Sequence, residues 1–230
     1  MTKQTSKAIE CDLLRDGISI TASLFDHGLV GIAARRALEL QLKQDKIGAK
    51  RLFENADRER EFEFFFHSDI FSDLFPRLLG EGAVSRRNRV QLRTDHGVNK
   101  SPILLFHIDS VAPRYKVFLH LSDVTDEDGP LEFLRKTHVG DWREPYCEEV
   151  REALANNATD AGIEPLDYNG CLKTDKELDW AKSRFELVRV LGSMGTCVVF
   201  DTRGFHRASP LNSGSRLLLS MDWMRREDNL

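Results

Sequence analysis

The chain has 230 residues, of which 41% are hydrophobic and 30% are charged. A disordered chain would contain fewer apolar residues, and no apolar run approaches the ~18 residues of a membrane span. The 33 basic side chains are outnumbered by 37 acidic ones, and the resulting net charge of −4 argues against a nucleic-acid-binding protein. We therefore expect a single globular domain over residues 1–230 that binds neither nucleic acid nor membranes.

The N-terminus and the cysteines indicate a cytoplasmic protein. The segment MTKQTSKAIECDLLRDG contains no apolar core of signal-peptide length and no small-residue cleavage site. The four cysteines, Cys11, Cys147, Cys171 and Cys197, form no CxxC pair, so neither a zinc knuckle nor a dithiol redox site is indicated. Isolated thiols of this kind suit a reducing compartment.

Residues 1–80 are predicted to be mainly helical, with a short strand within Ile18–Phe25. From about Gly31 to Asn55, apolar residues lie among many Lys, Arg and Glu residues, as on a solvated amphipathic helix. The next segment, EFEFFFHSDIFSDLFPRLLG, predicts a helix packed onto the core and ended by Pro76 and Gly80. The alternative for this phenylalanine-rich segment is the wall of a hydrophobic pocket.

After residue 84 the pattern changes to short strands. Arg89–Thr94 alternates apolar and polar residues, and four apolar runs follow, at Ile103–Phe106, Val117–Leu121, Cys197–Phe200 and Leu217–Met221. Helices followed by short strands predict a mainly β fold with flanking helices, a sandwich or jelly roll with its barrel core at about 85–225. The polar segment 141–186 is predicted to be a lid-like insertion between strands.

The most informative residues are His107 and Asp109 in the sequence LLFHIDS. Residues two apart on a strand project from the same face, so both side chains can contact one metal ion. A third potential ligand, His206, follows the apolar run TCVVFD. Two imidazoles and one carboxylate on one face of a metal leave positions open and suit Fe(II), whereas Zn(II) prefers a tetrahedral site.

Arg216 strengthens this interpretation. It follows His206 by ten residues, and a turn containing Pro210, Asn212 and Gly214 separates the two. Two antiparallel strands joined by that turn would return Arg216 to the side of the metal histidine. Its guanidinium can hold a small dicarboxylate through two hydrogen bonds, a geometry that Lys does not reproduce.

Three segments together resemble the phytanoyl-CoA dioxygenase-like family of Fe(II)/2-oxoglutarate-dependent oxygenases: HID, KVFLHLSDVTDEDGPLEFLRKTH and GTCVVFDTRGFHRASPLNSGSR. The resemblance covers residues 103–221. It implies a double-stranded β-helix, a cupin-like jelly-roll barrel with iron at one mouth. It also implies that His107, Asp109 and His206 are the metal ligands and that Arg216 binds the C5 carboxylate of 2-oxoglutarate.

The sequence departs from the family pattern at one place. Arg135-Lys136-Thr137-His138 stands where the family usually has Pro-Gly-Ser-His, so a longer and more basic rim is expected, and the resemblance gives no substrate class. The family histidine that caps this loop is matched by His138, for which we expect a structural role. Asp109 is retained, and because iron halogenases of the family have a small residue there, halogenation is disfavoured.

Other side chains are predicted near the site. Gln91 and Arg93 share one face of the strand before HID, and the resemblance implies that this strand lines the barrel. Either side chain can contact 2-oxoglutarate or the substrate; we assign Gln91 to 2-oxoglutarate and Arg93 to the substrate, and the alternative is that both lie at the rim. His120 shares a face with Lys116 and Phe118 on the following strand. It is a weaker prediction for the substrate site, because a hydrogen-bonded core histidine is the alternative.

A basic mouth for an anionic substrate is a further possibility. Arg207, predicted to contact the substrate, and Arg203 flank His206, and Arg135 and Lys136 lie in the loop before the insertion. A solvated charged rim explains these four residues equally well.

The sequence thus favours an Fe(II)- and 2-oxoglutarate-dependent dioxygenase that uses O₂ to hydroxylate a small molecule and releases succinate and CO₂. Two alternatives stay open: a non-catalytic jelly-roll module that binds a ligand, and a cupin-like metalloenzyme that does not use 2-oxoglutarate. The identity of the substrate and the oligomeric state do not follow from the sequence.

Overall fold

A computed structural model describes residues 2–43, 50–94, 104–110, 112–140, 171–172 and 175–226. The helices are α1 (Thr2–Asp16), α2 (His27–Gln41), α3 (Glu63–Phe66), α4 (Asp69–Leu79) and α5 (Asp175–Arg184). The strands are β1 (Ile18–Thr21), β2 (Lys50–Glu54), β3 (Ala83–Arg93), β4 (Phe106–His107), β5 (Arg114–His120), β6 (Leu131–Leu134), β7 (Cys171–Leu172), β8 (Leu187–Val190), β9 (Cys197–Asp201), β10 (His206–Ala208) and β11 (Arg216–Arg225). Within these ranges, no helix has both the length and the apolar character to cross a bilayer.

The strands form two antiparallel sheets that face each other. The larger sheet has the order β1-β9-β5-β11-β3-β2, and the smaller has the order β7-β4-β10-β6-β8. Ile18 and Phe200 of the larger sheet pack in one cluster with Phe133 and Val190 of the smaller sheet. This arrangement is a jelly roll, so the predicted fold class is confirmed, and the barrel also includes β1 and β2, which precede residue 85.

Helices α1, α2, α3 and α4 cover the outer face of the larger sheet. On β5, Val117 and Leu119 pack in the core that contains α1, α2 and α4, whereas Lys116 and Phe118 line a cavity inside the barrel. The same alternation holds on β11 and β3, as expected for strands whose successive side chains point to opposite faces. The polar residues of the central strands are therefore directed into the barrel.

The predicted helix over Gly31–Asn55 is wrong in its second half. Helix α2 ends at Gln41, and Lys50–Glu54 forms β2, which pairs with β3. The Gln41 side chain donates to the backbone oxygen of Val90 (2.9 Å), and Phe53 packs against the helix-side core. Pairing with a sheet edge overrides local helix preference here, which periodicity alone does not reveal.

The phenylalanine-rich segment packs onto the core, as predicted. Phe62, Phe65, Phe71 and Phe75 are fully buried in the helix-side cluster, and none of them lines the cavity inside the barrel. The prediction that Pro76 ends the helix is wrong, because Pro76 lies inside α4. The helix continues for one turn and ends at Gly80, whose φ of 83° is a conformation that glycine adopts without strain.

Most of the predicted lid, 141–186, lies outside the described residues. Its described parts are β7, which pairs with β4, and α5, whose Ala181 packs with Phe106 and Phe205. These parts support the smaller sheet. Of the predicted strand Ile103–Phe106, Ile103 also lies outside the described residues, and β4 begins only at Phe106.

Candidate metal and co-substrate site

Two neighbouring strands of the smaller sheet bring His107 and His206 together. They are directly opposite each other in the β4–β10 pairing, and their ring centroids lie 4.6 Å apart. Asp109 follows β4, and its backbone N–H donates to the oxygen of Thr202 (3.0 Å). Oδ1 of Asp109 lies 3.7 Å from Nε2 of His107, and Oδ2 lies 3.5 Å from Nε2 of His206.

These three side chains offer a donor set that fits a divalent metal ion. One ligand atom from each lies within 4.8 Å of the others. Nδ1 of His107 is 2.7 Å from the backbone oxygen of Leu105, and Nδ1 of His206 is 2.9 Å from that of Gly204. Since a carbonyl only accepts, Nδ1 carries the proton in each neutral ring, and the Nε2 lone pairs face the site. Nε2 of His206 is buried without a hydrogen-bond partner, as expected of an atom that binds a metal.

The electrostatics of the site keep Asp109 ionised. Burial opposes ionisation, but the Lys116 ammonium, 2.6 Å from Oδ2, outweighs it and holds the pKa of Asp109 well below its usual range. Burial, assisted by the neighbouring His206, lowers the pKa of His107. A charged carboxylate and a neutral His107 imidazole are the forms that bind metal ions.

One cavity inside the barrel contains most of the side chains singled out in the sequence. It is lined by His107, His206, Gln91, Arg93, Arg207 and Arg216. Phe118, Leu131, Phe200 and Leu218 supply apolar wall between them. The cavity thus joins the histidine pair to the predicted co-substrate arginine.

Arg216 and Arg93 form a buried pair at one end of this cavity. They are directly opposite each other on β11 and β3, and they are 8% and 5% exposed. Arg216 donates to the oxygen of Gly129 (2.5 Å) and Arg93 to that of Ser209 (2.7 Å), but neither Nε has a hydrogen-bond partner. Burial and, next, the charge of Arg93 lower the pKa of Arg216. Two desolvated like charges of this kind favour a bound anion.

The remaining predicted residues are placed differently. Gln91 lines the cavity and donates to Oγ of Ser220 (2.5 Å). His120 does not line it and is 2% exposed; burial and the charge of Arg216 lower the pKa of His120 to about 4. Arg207 lines the cavity while donating to Oε2 of Glu132 (2.6 Å).

Of the four residues predicted to form a basic mouth, all of which are described, Arg207 alone lines the cavity. Among the described residues, Arg203 pairs with Asp201 (2.5 Å), and neither Arg203 nor Arg135 lines the cavity. The basic side chains that do line it, besides those predicted, are Lys116, Arg87 and Arg89. For Arg89, the two-residue alternation with Gln91 and Arg93 along β3 was the available sequence signal, and for Lys116 it was the face of β5 shared with Phe118.

The RKTH segment, residues 135–138, stabilises the position of β10, which carries His206. The hydroxyl of Thr137 donates to the oxygen of Leu134 (2.7 Å) and accepts from the backbone N–H of Phe205 (2.8 Å), one residue before His206. His138 is buried against Gly17, where a Cβ atom would lie 2.6 Å from its Nδ1. These contacts agree with the structural role expected of His138.

Comparisons with solved structures give the same fold. The epimerase SnoN in complex with Fe3+, alpha ketoglutarate and nogalamycin RO has a TM-score of 0.66 at 18% identity, with 97% of this chain and 84% of that chain covered. HygX from Streptomyces hygroscopicus with nickel and 2-oxoglutarate bound has a TM-score of 0.63 at 12% identity, with coverage of 96% and 87%. EctD from S. alaskensis in its apoform has a TM-score of 0.65 at 13% identity, with coverage of 96% and 77%.

A comparison with curated protein sequences found no match. The sequence profile of the phytanoyl-CoA dioxygenase (PhyH) family, by contrast, matches residues 32–217, which is most of the chain. The match spans β4, β10 and most of the strands that surround the histidine pair. The chain therefore belongs to the phytanoyl-CoA dioxygenase family of non-haem iron, 2-oxoglutarate-dependent enzymes.

Proposed function

We propose that this protein is an Fe(II)- and 2-oxoglutarate-dependent dioxygenase that hydroxylates a small molecule. His107, Asp109 and His206 would hold the iron, and Arg216 would bind the far carboxylate of 2-oxoglutarate, with Gln91 beside it. The observation that carries the proposal is one cavity that contains both the histidine pair and two buried guanidiniums whose Nε atoms lack hydrogen-bond partners. A site for a metal and a site for a dicarboxylate are thus adjacent.

When bound, the iron and 2-oxoglutarate would supply the oxidising chemistry. Fe(II), 2-oxoglutarate and O₂ together supply an oxidant that removes hydrogen from a C–H bond, with succinate and CO₂ as co-products. The task of the chain is to position the reactants and to exclude water. Arg216 orients the dicarboxylate through hydrogen bonds from its planar guanidinium. Phe118, Leu131 and Phe200 place apolar surface beside the histidines and limit the access of water.

The first experiment is anaerobic addition of Fe(II) and 2-oxoglutarate to purified protein. We expect the weak visible charge-transfer band of the iron–oxoglutarate chelate in the wild type and its loss in His107→Ala. A matched control is His67→Ala, because His67 is exposed and is not among the residues that line the cavity. This control removes an imidazole without removing a proposed ligand.

The alternatives predict other outcomes. Iron binding without the band would favour a cupin-like metalloenzyme that does not use 2-oxoglutarate. No iron binding at all would favour a ligand-binding module. If the band forms, substrates can be sought by succinate release, and a product heavier by one oxygen atom would identify hydroxylation, whereas a product of unchanged mass would indicate stereoinversion.

We further propose that the chain acts as a single catalytic domain in the cytoplasm on a small-molecule substrate. Two observations support the location. Cys11 is a free, exposed thiol, and Cys197 is free and buried. An exposed free thiol is more common in reducing compartments than in oxidising ones.

A further inference from the structure

The cavity contains more positive charge than the metal and the co-substrate require. In the described ranges, the basic side chains that line it are Arg87, Arg89, Arg93, Lys116, Arg207 and Arg216, six in all, and the acidic one is Asp222. Like charges in a partly desolvated cavity repel each other unless anions compensate for them. The question is which of these charges lack a partner within the protein.

Five of the six already have a defined partner or task. Arg89 pairs with Glu54 (2.8 Å), and Arg207 pairs with Glu132 (2.6 Å), so each is neutralised. Lys116 pairs with Asp109 (2.6 Å). Arg216, with Arg93 beside it, is assigned to the far carboxylate of 2-oxoglutarate under the proposed function.

Arg87, six residues before Arg93 on β3, is the basic side chain that remains. Its nearest carboxylate is that of Asp222, at 3.6 Å, and Asp222 already accepts a short hydrogen bond from Arg114. Within the described part of the chain, one buried carboxylate therefore faces two guanidiniums, and a net positive charge results. The Arg87 side chain is 52% exposed, so it can turn towards a ligand in the cavity by giving up a long 3.6 Å contact with Asp222, which keeps its partner Arg114.

A β-bulge directs Arg87 to this position. The β3–β11 register shifts between Ser220 and Asp222, and Arg87 lies in the shifted segment with a φ of 51°. A positive φ is uncommon for a residue other than glycine, and bulges often re-aim a side chain next to an active site. Arg93 lies at the buried end of the same strand. β3 therefore runs along the cavity from the Arg93–Arg216 pair to the half-exposed side chain of Arg87.

We infer that the substrate has an apolar body and an oxyanion group, a carboxylate or a phosphate, and that Arg87 binds this oxyanion. The inference rests on the proposed function, which places the reacting carbon near the histidines. The apolar body would lie against Phe118, Leu131 and Phe200. The oxyanion would then neutralise the positive charge of Arg87 and Arg114 that the single carboxylate of Asp222 leaves uncompensated.

The test uses three aromatic probes of similar size: phenyl phosphate, benzoate and the neutral benzyl alcohol. Each is titrated calorimetrically into anaerobic protein saturated with Fe(II) and 2-oxoglutarate, so that the Arg93–Arg216 end is already filled. We expect at least one anion to bind about tenfold more tightly than benzyl alcohol, since charge-assisted hydrogen bonds are roughly twice as strong as neutral ones. The anion that binds more tightly identifies the carboxylate or phosphate class.

Two substitutions locate the effect. Arg87→Gln should weaken binding of the preferred anion about tenfold and leave benzyl alcohol unchanged. Arg86→Gln is the matched control, because Arg86 is its exposed neighbour on β3 and does not line the cavity. The unfolding temperatures of both variants show whether either substitution destabilises the fold.

Equal binding of all three probes, binding of none, or unchanged anion affinity in Arg87→Gln would overturn the inference. The charge-transfer band is recorded before any probe is added, so failure of the proposed function is seen separately. If that band is absent, the same titrations on metal-free protein still test Arg87, because the heat of binding does not depend on turnover.

Discussion

Nζ of Lys116 lies 2.6 Å from Oδ2 of Asp109, the oxygen that also faces His206. The ammonium therefore compensates a buried carboxylate that the proposed function assigns to the metal. A divalent ion at the same carboxylate would be repelled by this ammonium, because both are positive and share one partner. Lys116 stabilises the metal-free protein at the expense of metal affinity.

The variant Lys116→Met tests this relationship. We expect the metal-free protein to lose about 1–3 kcal/mol of unfolding free energy, because Asp109 would be left buried without a cation. Metal affinity should rise several-fold, so the gain in unfolding temperature on adding Ni(II) should be larger than in the wild type. Thermal unfolding with and without Ni(II) measures both effects. The charge-retaining control is Lys116→Arg, and a lower metal affinity in Lys116→Met than in this control would contradict the argument.

A second prediction concerns Arg216. Arg216→Lys keeps the charge but loses the planar fork, so 2-oxoglutarate should bind at least tenfold more weakly. Arg216→Ala should weaken it further while leaving metal binding nearly unchanged, because Arg216 is not among the residues that offer metal ligands. Titration of 2-oxoglutarate against the anaerobic Fe(II) protein measures the first quantity, and titration of the metal alone measures the second. Equal 2-oxoglutarate affinity in all three proteins would exclude the assigned role.

A third prediction concerns Gly129, which lies beside Arg93 and Arg216. We expect that it does not tolerate a side chain. Its φ is 61°, and an added Cβ would lie 2.8 Å from Nη1 of Arg93 and 2.8 Å from the oxygen of Ser209. Its own carbonyl accepts from Arg216. Gly129→Ala should therefore cost about 1–3 kcal/mol of stability from backbone strain alone and should displace both guanidiniums.

The measurements for Gly129→Ala are chemical denaturation and 2-oxoglutarate affinity. Both are expected to fall, whereas metal affinity is retained. Gly31→Ala is the control, because Gly31 lies in α2 with no atom within 4 Å of an added Cβ. That change should be neutral or stabilising by up to ~1 kcal/mol. Wild-type 2-oxoglutarate binding in Gly129→Ala would show that the close approach to Arg93 has no functional consequence.

The ligand-type residues were predictable because they follow local rules. The two-residue spacing of His107 and Asp109 predicts that both side chains lie on one side, and they do, although Asp109 lies just beyond β4. The predicted hairpin between His206 and Arg216 is wrong: β10 pairs with β4 and β6 in the smaller sheet, whereas β11 pairs with β3 and β5 in the larger one. Arg216 reaches the cavity because the two sheets face each other. The family resemblance then supplied the topology that brings the two segments together. Pairing across 99 residues, as between His107 and His206, is set by tertiary contacts that no local pattern encodes.

Other features depended on contacts that the sequence does not show. The segment Lys50–Glu54 has helix-compatible composition, and only its pairing with β3 makes it a strand. The role of Arg87 depends on a one-residue bulge in the β3–β11 register, which a strict two-residue alternation does not predict. Likewise, His120 lies on the same face of β5 as Lys116, but it is buried, feels the charge of Arg216 and does not line the cavity.

His120 leads to a prediction about acid stability. Burial, together with the charge of Arg216, lowers the pKa of His120 from 6.5 to about 4 in the folded protein. Between these two values the unfolded chain binds a proton that the folded protein does not, so the free energy of unfolding falls as the pH is lowered from about 6.5 to about 4. The loss is about 1.4 kcal/mol per pH unit while only the unfolded form is protonated, or up to about 3 kcal/mol in total.

The variant His120→Gln removes this titration. Chemical denaturation at several pH values between 4 and 7 should give a shallower acid loss than in the wild type, although the variant is less stable near neutral pH because the site is buried. His67→Gln controls for the removal of an exposed imidazole. The difference between wild type and His120→Gln isolates His120, because the carboxylates that also titrate in this range are common to both proteins. Parallel pH dependences for the two proteins would mean that folding does not lower the pKa of His120, which would contradict the effect expected from its burial.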